Sequence, residues 1–269
     1  MKFAFSTLGC PDWPIEKIVS EADRLGYDGV EVRGIRRTFD LSDAPEFSHE
    51  NVRKTRKLFE DAGVPVVSID ASSSFCSPDE EAQRAAFSEA VRHIAIAGEM
   101  GAPQVRVFGG DIPEGEPREK WARILADNLK RLGEKAAEKR VRVAVETHDD
   151  WCRADQLMPV IEAVNMENVR PLWDIAHPFS HGETIEESLE RFRGAVVHCH
   201  VKDHTADHTH VLLGEGIVPI ADAVAALKRE GFDGYISLEW EKAWMPDIEE
   251  PEVAFPRAIE YLRKVDAET

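Results

Sequence analysis

Short apolar runs alternate with longer amphipathic segments along the whole chain. The runs are rich in β-branched and aromatic residues, which is typical of strands buried on both faces. Each run is followed by helical periodicity or by residues that start helices. The pattern therefore predicts eight βα units, with strands at Lys2–Ser6, Gly29–Arg33, Pro65–Asp70, Gln104–Phe108, Val141–Thr147, Val169–Asp174, Val196–Lys202 and Gly234–Trp240.

Proline and glycine residues mark the ends of the predicted helices. Pro14 opens the first helix, and Pro78 with the acidic residues after it opens the third. Gly63, Gly101 and Gly231 are predicted to end others, because glycine adopts the left-handed conformation of a helix C-terminus without steric cost. These boundaries support the count of βα units.

Strict alternation of strands and helices predicts a parallel sheet with right-handed crossovers. Eight units within 269 residues favour a closed (β/α)₈ barrel, the TIM barrel, over an open doubly wound sheet. The first strand is followed by neither GxGxxG nor GxxxxGK[ST], the fingerprints of nucleotide-binding folds. With no linker or low-complexity tract, we expect one α/β domain spanning residues 1–269.

Composition narrows the classes of partner. The chain has 33 basic and 51 acidic residues and a formal net charge of -18, which repels nucleic acids and anionic membrane surfaces. The four cysteines are far apart and form no CxxC pair, so we expect reduced thiols. The N-terminus lacks the features of a signal peptide and no apolar run is long enough to span a membrane, so a cytoplasmic location is expected.

Ionisable residues recur at the carboxyl ends of the predicted strands, where a buried parallel strand should be apolar. Because these ends meet at one rim of a barrel, the side chains should converge there. The residues are Glu31, Arg33, Asp70, Arg106, Glu146, His148, Asp174, His198, His200, Lys202, Glu239 and Glu241.

Four of these residues form a predicted metal site. Strands five to eight each offer one inward ligand, which places Glu146, Asp174, His200 and Glu239 around a common point. Three carboxylates and one imidazole suit one divalent ion, with Mn²⁺ preferred and Mg²⁺, Co²⁺ or Zn²⁺ as alternatives. The competing interpretation is a set of salt bridges across the barrel mouth.

The segments VAVETH, LWDIAH, VVHCHVKD and YISLEW, on the last four strands, resemble those of the xylose-isomerase-like barrel superfamily. The resemblance spans the chain and implies the same four metal ligands. It also implies that His177 hydrogen-bonds a substrate hydroxyl or carbonyl. The zinc endonucleases of this superfamily fit less well, because strands two and three offer Glu31 and Asp70 but no histidine.

The resemblance implies a metal-dependent isomerase or epimerase of a sugar or sugar derivative in carbohydrate metabolism, acting through an enediolate. Glu146 and Glu239 would then serve as the acid and base. One alternative is a lyase of the inosose-dehydratase kind that expels a β-hydroxyl, and another is a non-catalytic sugar-binding barrel. The partner is a small sugar or polyol, and a homo-oligomer remains open.

Three further side chains are predicted to contact the substrate. Lys202 and Arg106 would place positive charge near a developing oxyanion or a substrate anion, and His148 could donate to a hydroxyl. Each also has a structural alternative. Arg106 could instead neutralise Glu31 or Asp70, Lys202 could pair with Asp203 or Glu241, and His198 is expected to fill a layer of the barrel.

The segment after strand seven carries a cluster of three histidines, His204, His208 and His210. A second metal site is one interpretation of this cluster. The favoured interpretation is a mobile cover over the site, with Gly214 and Gly216 permitting the loop to bend. Among the tryptophans, Trp13 and Trp240 are the preferred candidates for stacking on a sugar, although packing is the commoner role.

Overall fold

The computed structural model describes all 269 residues, Met1–Thr269. The strands are β1 (Lys2–Ser6), β2 (Gly29–Val32), β3 (Val66–Asp70), β4 (Gln104–Val107), β5 (Arg142–Glu146), β6 (Val169–Asp174), β7 (His198–Val201), β8 (Asp203–His204), β9 (His210–Val211) and β10 (Tyr235–Leu238). The α-helices are α1 (Ile15–Leu25), α2 (Val52–Ala62), α3 (Glu80–Met100), α4 (Arg118–Lys139), α5 (Ala154–Val164), α6 (Ala176–Ser180), α7 (Ile185–Phe192), α8 (Ile220–Arg229) and α9 (Pro251–Glu268).

Eight strands close into a parallel barrel in the order β1-β10-β7-β6-β5-β4-β3-β2. The last barrel strand, β10, pairs with β1, so the sheet has no free edge. This confirms the predicted (β/α)₈ fold, and every predicted barrel strand lies within two residues of the observed bounds. Strand β7 therefore lies between β6 and β10, which brings the ends of β5, β6, β7 and β10 side by side.

The helices begin and end close to the proline and glycine residues that the sequence analysis predicted as their boundaries. Asp79 caps α3 by accepting a hydrogen bond from the backbone of Glu81, just after Pro78. Gly63 and Gly101 follow α2 and α3 in the left-handed conformation, with φ of 69° and 74°. At the end of α8, Glu230 is the cap and Gly231 follows it with φ of 71°.

The loop after β7 is built around the buried carboxylate of Asp203. Strands β8 and β9 form a small antiparallel hairpin, which the sequence pattern did not predict. One Asp203 oxygen accepts from the backbone N–H groups of Gly214 and Gly216, each at 2.9 Å. A Cβ on Gly216 would lie 2.1 Å from the other oxygen, so this glycine permits close packing rather than bending.

The four cysteines are buried and unpaired, as the sequence predicted. No helix is both long enough and apolar enough to cross a bilayer. The two tryptophans favoured for stacking on a sugar, Trp13 and Trp240, are buried, whereas Trp244 is half exposed. Trp13 packs edge-on against Phe255 of α9 at a centroid distance of 5.6 Å, which is a packing role.

Candidate metal centre

The four predicted metal ligands lie together at the carboxyl end of the barrel. Glu146 and Asp174 are the last residues of β5 and β6, His200 lies in β7, and Glu239 directly follows β10. One ligand atom from each lies within 4.8 Å of the others, and all four side chains are buried. The alternating direction of strand side chains accounts for this convergence, because each residue points into the barrel.

The ring of His200 is oriented by Glu31 on β2. Its Nε2 lies 3.0 Å from a carboxylate oxygen of Glu31, and a carboxylate can only accept, so Nε2 carries the proton. The other nitrogen, Nδ1, lies 3.3 Å from Glu146 and 3.5 Å from Glu239. The unshared electron pair of a neutral imidazole would thus face two carboxylates, an arrangement that a proton or a metal ion on Nδ1 would stabilise.

Charge around His200 supports the same conclusion. Burial alone would lower the pKa of His200, but the carboxylates of Glu31, Glu239 and Glu146 raise it well above its ordinary value. A proton on Nδ1 is one way to compensate these carboxylates. A divalent ion bound by Nδ1 and the carboxylates is another, and it requires the same set of atoms.

Lys202 lies beside the cluster with its ammonium buried. Its Nζ is 2.9 Å from Asp174, 2.7 Å from Glu239 and 2.8 Å from Glu241. Burial opposes the charge, but Asp174 and Glu239 raise the pKa of Lys202 well above its ordinary value. The sequence suggested Asp203 or Glu241 as an ion-pair partner of Lys202. The structure contains the pair with Glu241 and lacks the pair with Asp203.

The carboxylate cluster retains capacity for a metal ion. One oxygen of Glu146 lies 3.2 Å from Arg106 Nε and one of Asp174 lies 2.9 Å from Lys202 Nζ, and both oxygens are buried. Three buried carboxylates this close together repel one another, and a bound cation would offset that repulsion in addition to the charges of Arg106 and Lys202. The donor set of three carboxylates and one imidazole therefore fits a divalent ion.

Arg106 on β4 is fully buried beneath the cluster. Its Nε lies 3.2 Å from Glu146, and one of its terminal nitrogens lies 3.5 Å from Asp70. The guanidinium also donates to the backbone oxygen of Ala71 at 3.1 Å. The sequence suggested an ion pair of Arg106 with Glu31 or Asp70, and the structure contains the pair with Asp70. A substrate contact at Arg106 stays a prediction.

His148 and His177 form the accessible side of the site. Their rings pack edge to face at a centroid distance of 4.6 Å. His177 Nε2 lies 3.6 Å from Asp174 and has no hydrogen-bond partner. Burial and the charge of Lys202 lower the pKa of His177 well below its ordinary value, so its ring is neutral near pH 7. Its Nε2 is thus a buried, neutral and unpartnered group beside Asp174.

His148 is held by its neighbour in the chain. Its Nδ1 lies 2.6 Å from Asp149, which leaves Nε2 as the nitrogen able to meet a substrate. Burial opposes protonation, but the hydrogen bond to Asp149 raises the pKa of His148 above its ordinary value. The ring also packs on Phe108 at a centroid distance of 4.6 Å. The predicted contacts of His148 and His177 with a substrate stay predictions.

Glu31 and His198 form a buried pair that the sequence analysis did not connect to the metal site. His198 Nε2 lies 2.6 Å from the same Glu31 oxygen that receives His200. The sequence placed Glu31 at the rim, but no spacing rule identifies which of several inward carboxylates will meet a given histidine. His198 lies within the barrel, as expected of a layer residue, and it orients Glu31.

The histidines after β7 do not form a second metal site. His204 Nε2 lies 2.9 Å from the hydroxyl of Ser180, and His208 stacks on His204 at a centroid distance of 5.1 Å. His210 lies 3.9 Å from Glu241. The two groups of side chains with metal-binding geometry are both inside the barrel and include none of these three.

Comparisons with known proteins agree with this architecture. A family model described as a xylose isomerase-like TIM barrel matches residues 19–265. Fructoselysine 3-epimerase from Shigella flexneri is 24% identical over 275 residues, which cover 98% of this chain and 97% of that protein. The expected resemblance to this superfamily is thereby confirmed.

Solved structures show the same fold. The probable 3-DHS dehydratase AsbF from Bacillus anthracis has a TM-score of 0.80 and 17% identity, covering 98% of this chain and 99% of its own. The IOLI protein, whose crystal structure contains a bound zinc atom, has a TM-score of 0.79 and 21% identity, covering 100% of this chain and 97% of its own. At these identities the likeness concerns the fold.

Proposed function

Because the chain belongs to the xylose isomerase-like TIM barrel family, we propose that it is a divalent-metal-dependent epimerase or isomerase of a sugar or sugar derivative. The observation that carries this proposal is the convergence of Glu146, Asp174, His200 and Glu239 at the barrel mouth. The full-length likeness to fructoselysine 3-epimerase supports the sugar substrate class and favours epimerisation.

Glu146, Asp174, His200 and Glu239 would hold one divalent cation through their carboxylate oxygens and the Nδ1 of His200. We propose Mn²⁺ as the preferred ion, with Mg²⁺, Co²⁺ and Zn²⁺ as alternatives, because oxygen-rich sites with one imidazole accept all of these. When bound, such an ion polarises a substrate carbonyl and lowers the pKa of the adjacent C–H bond.

The chain supplies the proton transfers. Glu146 and Glu239 lie at the two ends of the row β5-β6-β7-β10, so they approach a substrate in the mouth from different sides. One carboxylate would take the proton from the carbon beside the carbonyl, giving an enediolate. The other, present as the protonated acid, would give its proton to the opposite face of that carbon, which inverts it.

The neighbouring groups would stabilise the negative charge that forms on the substrate oxygens. His177, with a neutral ring and a free Nε2, would hydrogen-bond the reacting hydroxyl or carbonyl. The ammonium of Lys202 would add positive charge beside Glu239. These side chains are fixed on adjacent strand ends, so the site is organised before the substrate binds.

The test is deuterium exchange with a defined metal content. The protein is stripped with EDTA, reloaded with each of the four ions, and incubated in D₂O with a panel of ketoses, aldoses and sugar acids. NMR then measures deuterium at the carbon next to the carbonyl and identifies the product. We expect exchange and an epimer or isomer only with metal present.

Variants of the two glutamates test their roles. Replacing either residue, as Glu146→Gln or Glu239→Gln, should lower kcat by about 10²–10⁴-fold, the usual contribution of a positioned acid or base. Glu167→Gln, at an exposed carboxylate outside the site, is the matched control. Formation of an ultraviolet-absorbing enone would instead establish the dehydratase alternative, and metal binding without turnover on any sugar would favour a non-catalytic barrel.

A further inference from the structure

Two arginines of this chain are buried, and their surroundings differ. Arg106 has two carboxylates within 3.5 Å, Glu146 and Asp70. Arg33, which directly follows β2, has no carboxylate within salt-bridge distance, although only 6% of its surface is exposed. A buried guanidinium without an anion is unfavourable unless another group compensates its charge.

The three carboxylates whose charges act most strongly on Arg33 are engaged elsewhere. Asp70 pairs with Arg106, and Glu239 pairs with Lys202. Glu89 on α3 accepts hydrogen bonds from the backbone of Ser72 and the hydroxyl of Ser73, both at 2.9 Å. The guanidinium of Arg33 is therefore a buried cation that pairs with no carboxylate, in a protein with a net charge of -18.

Arg33 is nevertheless held in place. Its backbone N–H donates to the hydroxyl of Thr7 at 3.0 Å, and one terminal nitrogen donates to the hydroxyl of Ser72 at 2.8 Å. The other terminal nitrogen is buried and has no hydrogen-bond partner. Burial, followed by the charge of Arg106, lowers the pKa of Arg33 to about 10, so the guanidinium remains charged at neutral pH.

Two aromatic rings cover the guanidinium. Its central carbon lies 5.1 Å from the ring centre of Phe39 and 5.9 Å from that of Trp244. The two rings pack on each other at a centroid distance of 4.5 Å. A Cβ on Gly34 would lie 2.7 Å from the Phe39 ring, so glycine at this position allows the ring to pack close to the backbone.

The segment that carries Phe39 is shaped by a tight turn. Arg36 and Arg37 both adopt positive φ, at 48° and 61°, which is costly for residues other than glycine. Arg37 is held by two hydrogen bonds to Asp12 at 2.8 and 2.9 Å, and Arg36 pairs with Glu46. The aromatic cover therefore follows from a specific backbone conformation.

Arg33 lies on the side of the barrel mouth opposite Asp174, and Glu239, which follows β10, is the cluster residue closest to it in the strand order. In the closed strand order, β2 is four positions from β6, the strand of Asp174. A substrate whose reacting carbons meet the four ligands would therefore extend toward Arg33 with its far end. Guanidinium groups bind carboxylates and phosphates through paired, charge-assisted hydrogen bonds.

We propose that Arg33 binds an anionic group of the substrate, a carboxylate or a phosphate, at the end remote from the metal cluster, beneath Phe39 and Trp244. The free nitrogen of Arg33 supplies the hydrogen bond and Trp244, which is half exposed, moves to admit the ligand. The substrate class rests on the proposed sugar chemistry, and binding of an anion at Arg33 does not.

The first test measures anion binding without catalysis. Inorganic phosphate, D-gluconate and neutral sorbitol are titrated into the protein as purified and after loading with Mn²⁺, with tryptophan emission and calorimetry as readouts. Trp244→Phe assigns the emission change to the aromatic cover. Arg33→Met keeps the aliphatic stem, Arg33→Lys keeps the charge, and Arg229→Met, at an exposed arginine of α8, is the control.

We expect the anions to change Trp244 emission and sorbitol to leave it unchanged. Arg33→Met should weaken this response at least tenfold, Arg33→Lys should have an intermediate effect, and Arg229→Met should match the parent protein. Binding of both anions by Arg33→Met with parental affinity and the same Trp244 response would overturn the proposal. Mn²⁺ affinity is measured in every variant, to show that the metal cluster is intact.

The second test separates this inference from the proposed function. Kinetics are compared for neutral and anionic forms of one sugar, D-fructose against D-fructose 6-phosphate and D-fructuronate. Arg33→Met should raise KM at least tenfold for the anionic forms only. An equal loss on neutral and anionic sugars would show that Arg33 is structural. No turnover together with Arg33-dependent phosphate binding would reject the sugar chemistry and keep the anion site.

Discussion

At the scale of single residues, the candidate site depends on which nitrogen of His200 faces the carboxylates. Glu31 receives Nε2 of both His198 and His200 on one oxygen, at 2.6 and 3.0 Å. This arrangement keeps Nδ1 of His200 directed at Glu146 and Glu239. Carboxylates that hold a ligating histidine in this way typically contribute to metal affinity without touching the metal.

We therefore expect Glu31→Gln to weaken Mn²⁺ binding by about 10–100-fold, the usual effect of losing such a partner of a metal-bound histidine. The amide oxygen of a glutamine accepts the two imidazole N–H groups more weakly than a carboxylate oxygen does, because it carries no full negative charge. Calorimetry with Mn²⁺ measures the affinity, and circular dichroism shows whether the fold is retained.

The matched control is Glu183→Gln. Glu183 is another buried carboxylate, and it accepts a hydrogen bond from the backbone of Ala154 at 2.9 Å outside the metal cluster. Its replacement should leave the Mn²⁺ affinity unchanged. Equal affinities of Glu31→Gln and the parent protein would show that Glu31 does not position His200.

The convergence of the four candidate ligands could be predicted from the sequence and the role of Glu31 could not, for a physical reason. Strand periodicity shows which side chains share a face, and the position of Asp174 and His200 at strand ends together with their ligand chemistry indicates the inward one. The pairing of Glu31 with His200 joins β2 to β7 across the barrel interior. This pairing depends on the closed strand order, on side-chain rotamers and on the packing layer that contains His198. No local pattern in the sequence indicates any of these.

At the scale of elements, the loop after β7 is ordered by one buried side chain. The two oxygens of Asp203 accept four backbone N–H groups, with distances from 2.9 to 3.1 Å. The donors are His204, Gly214, Gly216 and Val218. This bonding ties the β8–β9 hairpin and the start of α8 to the end of the barrel strand.

Asp203→Asn should therefore loosen the loop and destabilise the protein. One oxygen remains in the amide, but the –NH₂ group now opposes the N–H groups of Gly214 and Gly216. These hydrogen bonds are partly buried, and a fully buried unsatisfied donor costs about 1–3 kcal/mol, so we expect the loss of the pair to lower the free energy of unfolding by about that amount. Urea titration measures the loss, and hydrogen exchange of residues 204–219 locates it.

Asp207→Asn, an exposed carboxylate in the same hairpin, is the control for the loss of charge. Exposed substitutions of this kind usually change stability by less than about 0.5 kcal/mol. If Asp203→Asn had the stability and exchange rates of the parent protein, Asp203 would not be the element that orders the loop.

The same loop shows that a glycine in the sequence allows more than one interpretation. Gly214 and Gly216 suggest a flexible cover from the sequence alone. In the structure both N–H groups are bound by Asp203, and a side chain on Gly214 would lie 2.5 Å from the ring of Tyr261. A glycine indicates either a flexible backbone or a place where another group approaches the backbone closely. Only the packed neighbours, here Asp203 and Tyr261, distinguish the two.

At the scale of the whole molecule, the barrel is closed where the two ends of the chain meet. Strand β1 pairs with β10, and Phe255 of α9 packs on Phe5 of β1 at a centroid distance of 4.4 Å. Tyr27 donates its hydroxyl to the backbone oxygen of Phe255 at 2.8 Å. A Cβ on Gly9 would lie 2.7 Å from the Phe255 ring, so the first βα connection is shaped around this side chain.

Through these contacts between β1, β10 and α9, Phe255 contributes to the stability of the whole barrel. Its side chain is fully buried, and removal of such a ring leaves a cavity that the rigid barrel cannot fill, at a typical cost of about 3–5 kcal/mol for Phe→Ala. Because these contacts join the first and last elements of the chain, Phe255→Ala should lower the urea concentration at the midpoint of unfolding and keep unfolding a single cooperative transition. Far-ultraviolet dichroism and tryptophan emission during urea unfolding should report the same midpoint.

Phe87→Ala provides the comparison, because Phe87 lies half-buried on α3, where its ring contacts Arg131 on the neighbouring helix. Its loss removes less buried apolar surface and should cost correspondingly less. Two separate transitions in Phe255→Ala, with α9 released before the barrel unfolds, would show that the ends of the chain are an independent unit. A single transition at a lower urea concentration is the result expected if closure at β1 and β10 holds the whole barrel, and with it the four ligands at its mouth.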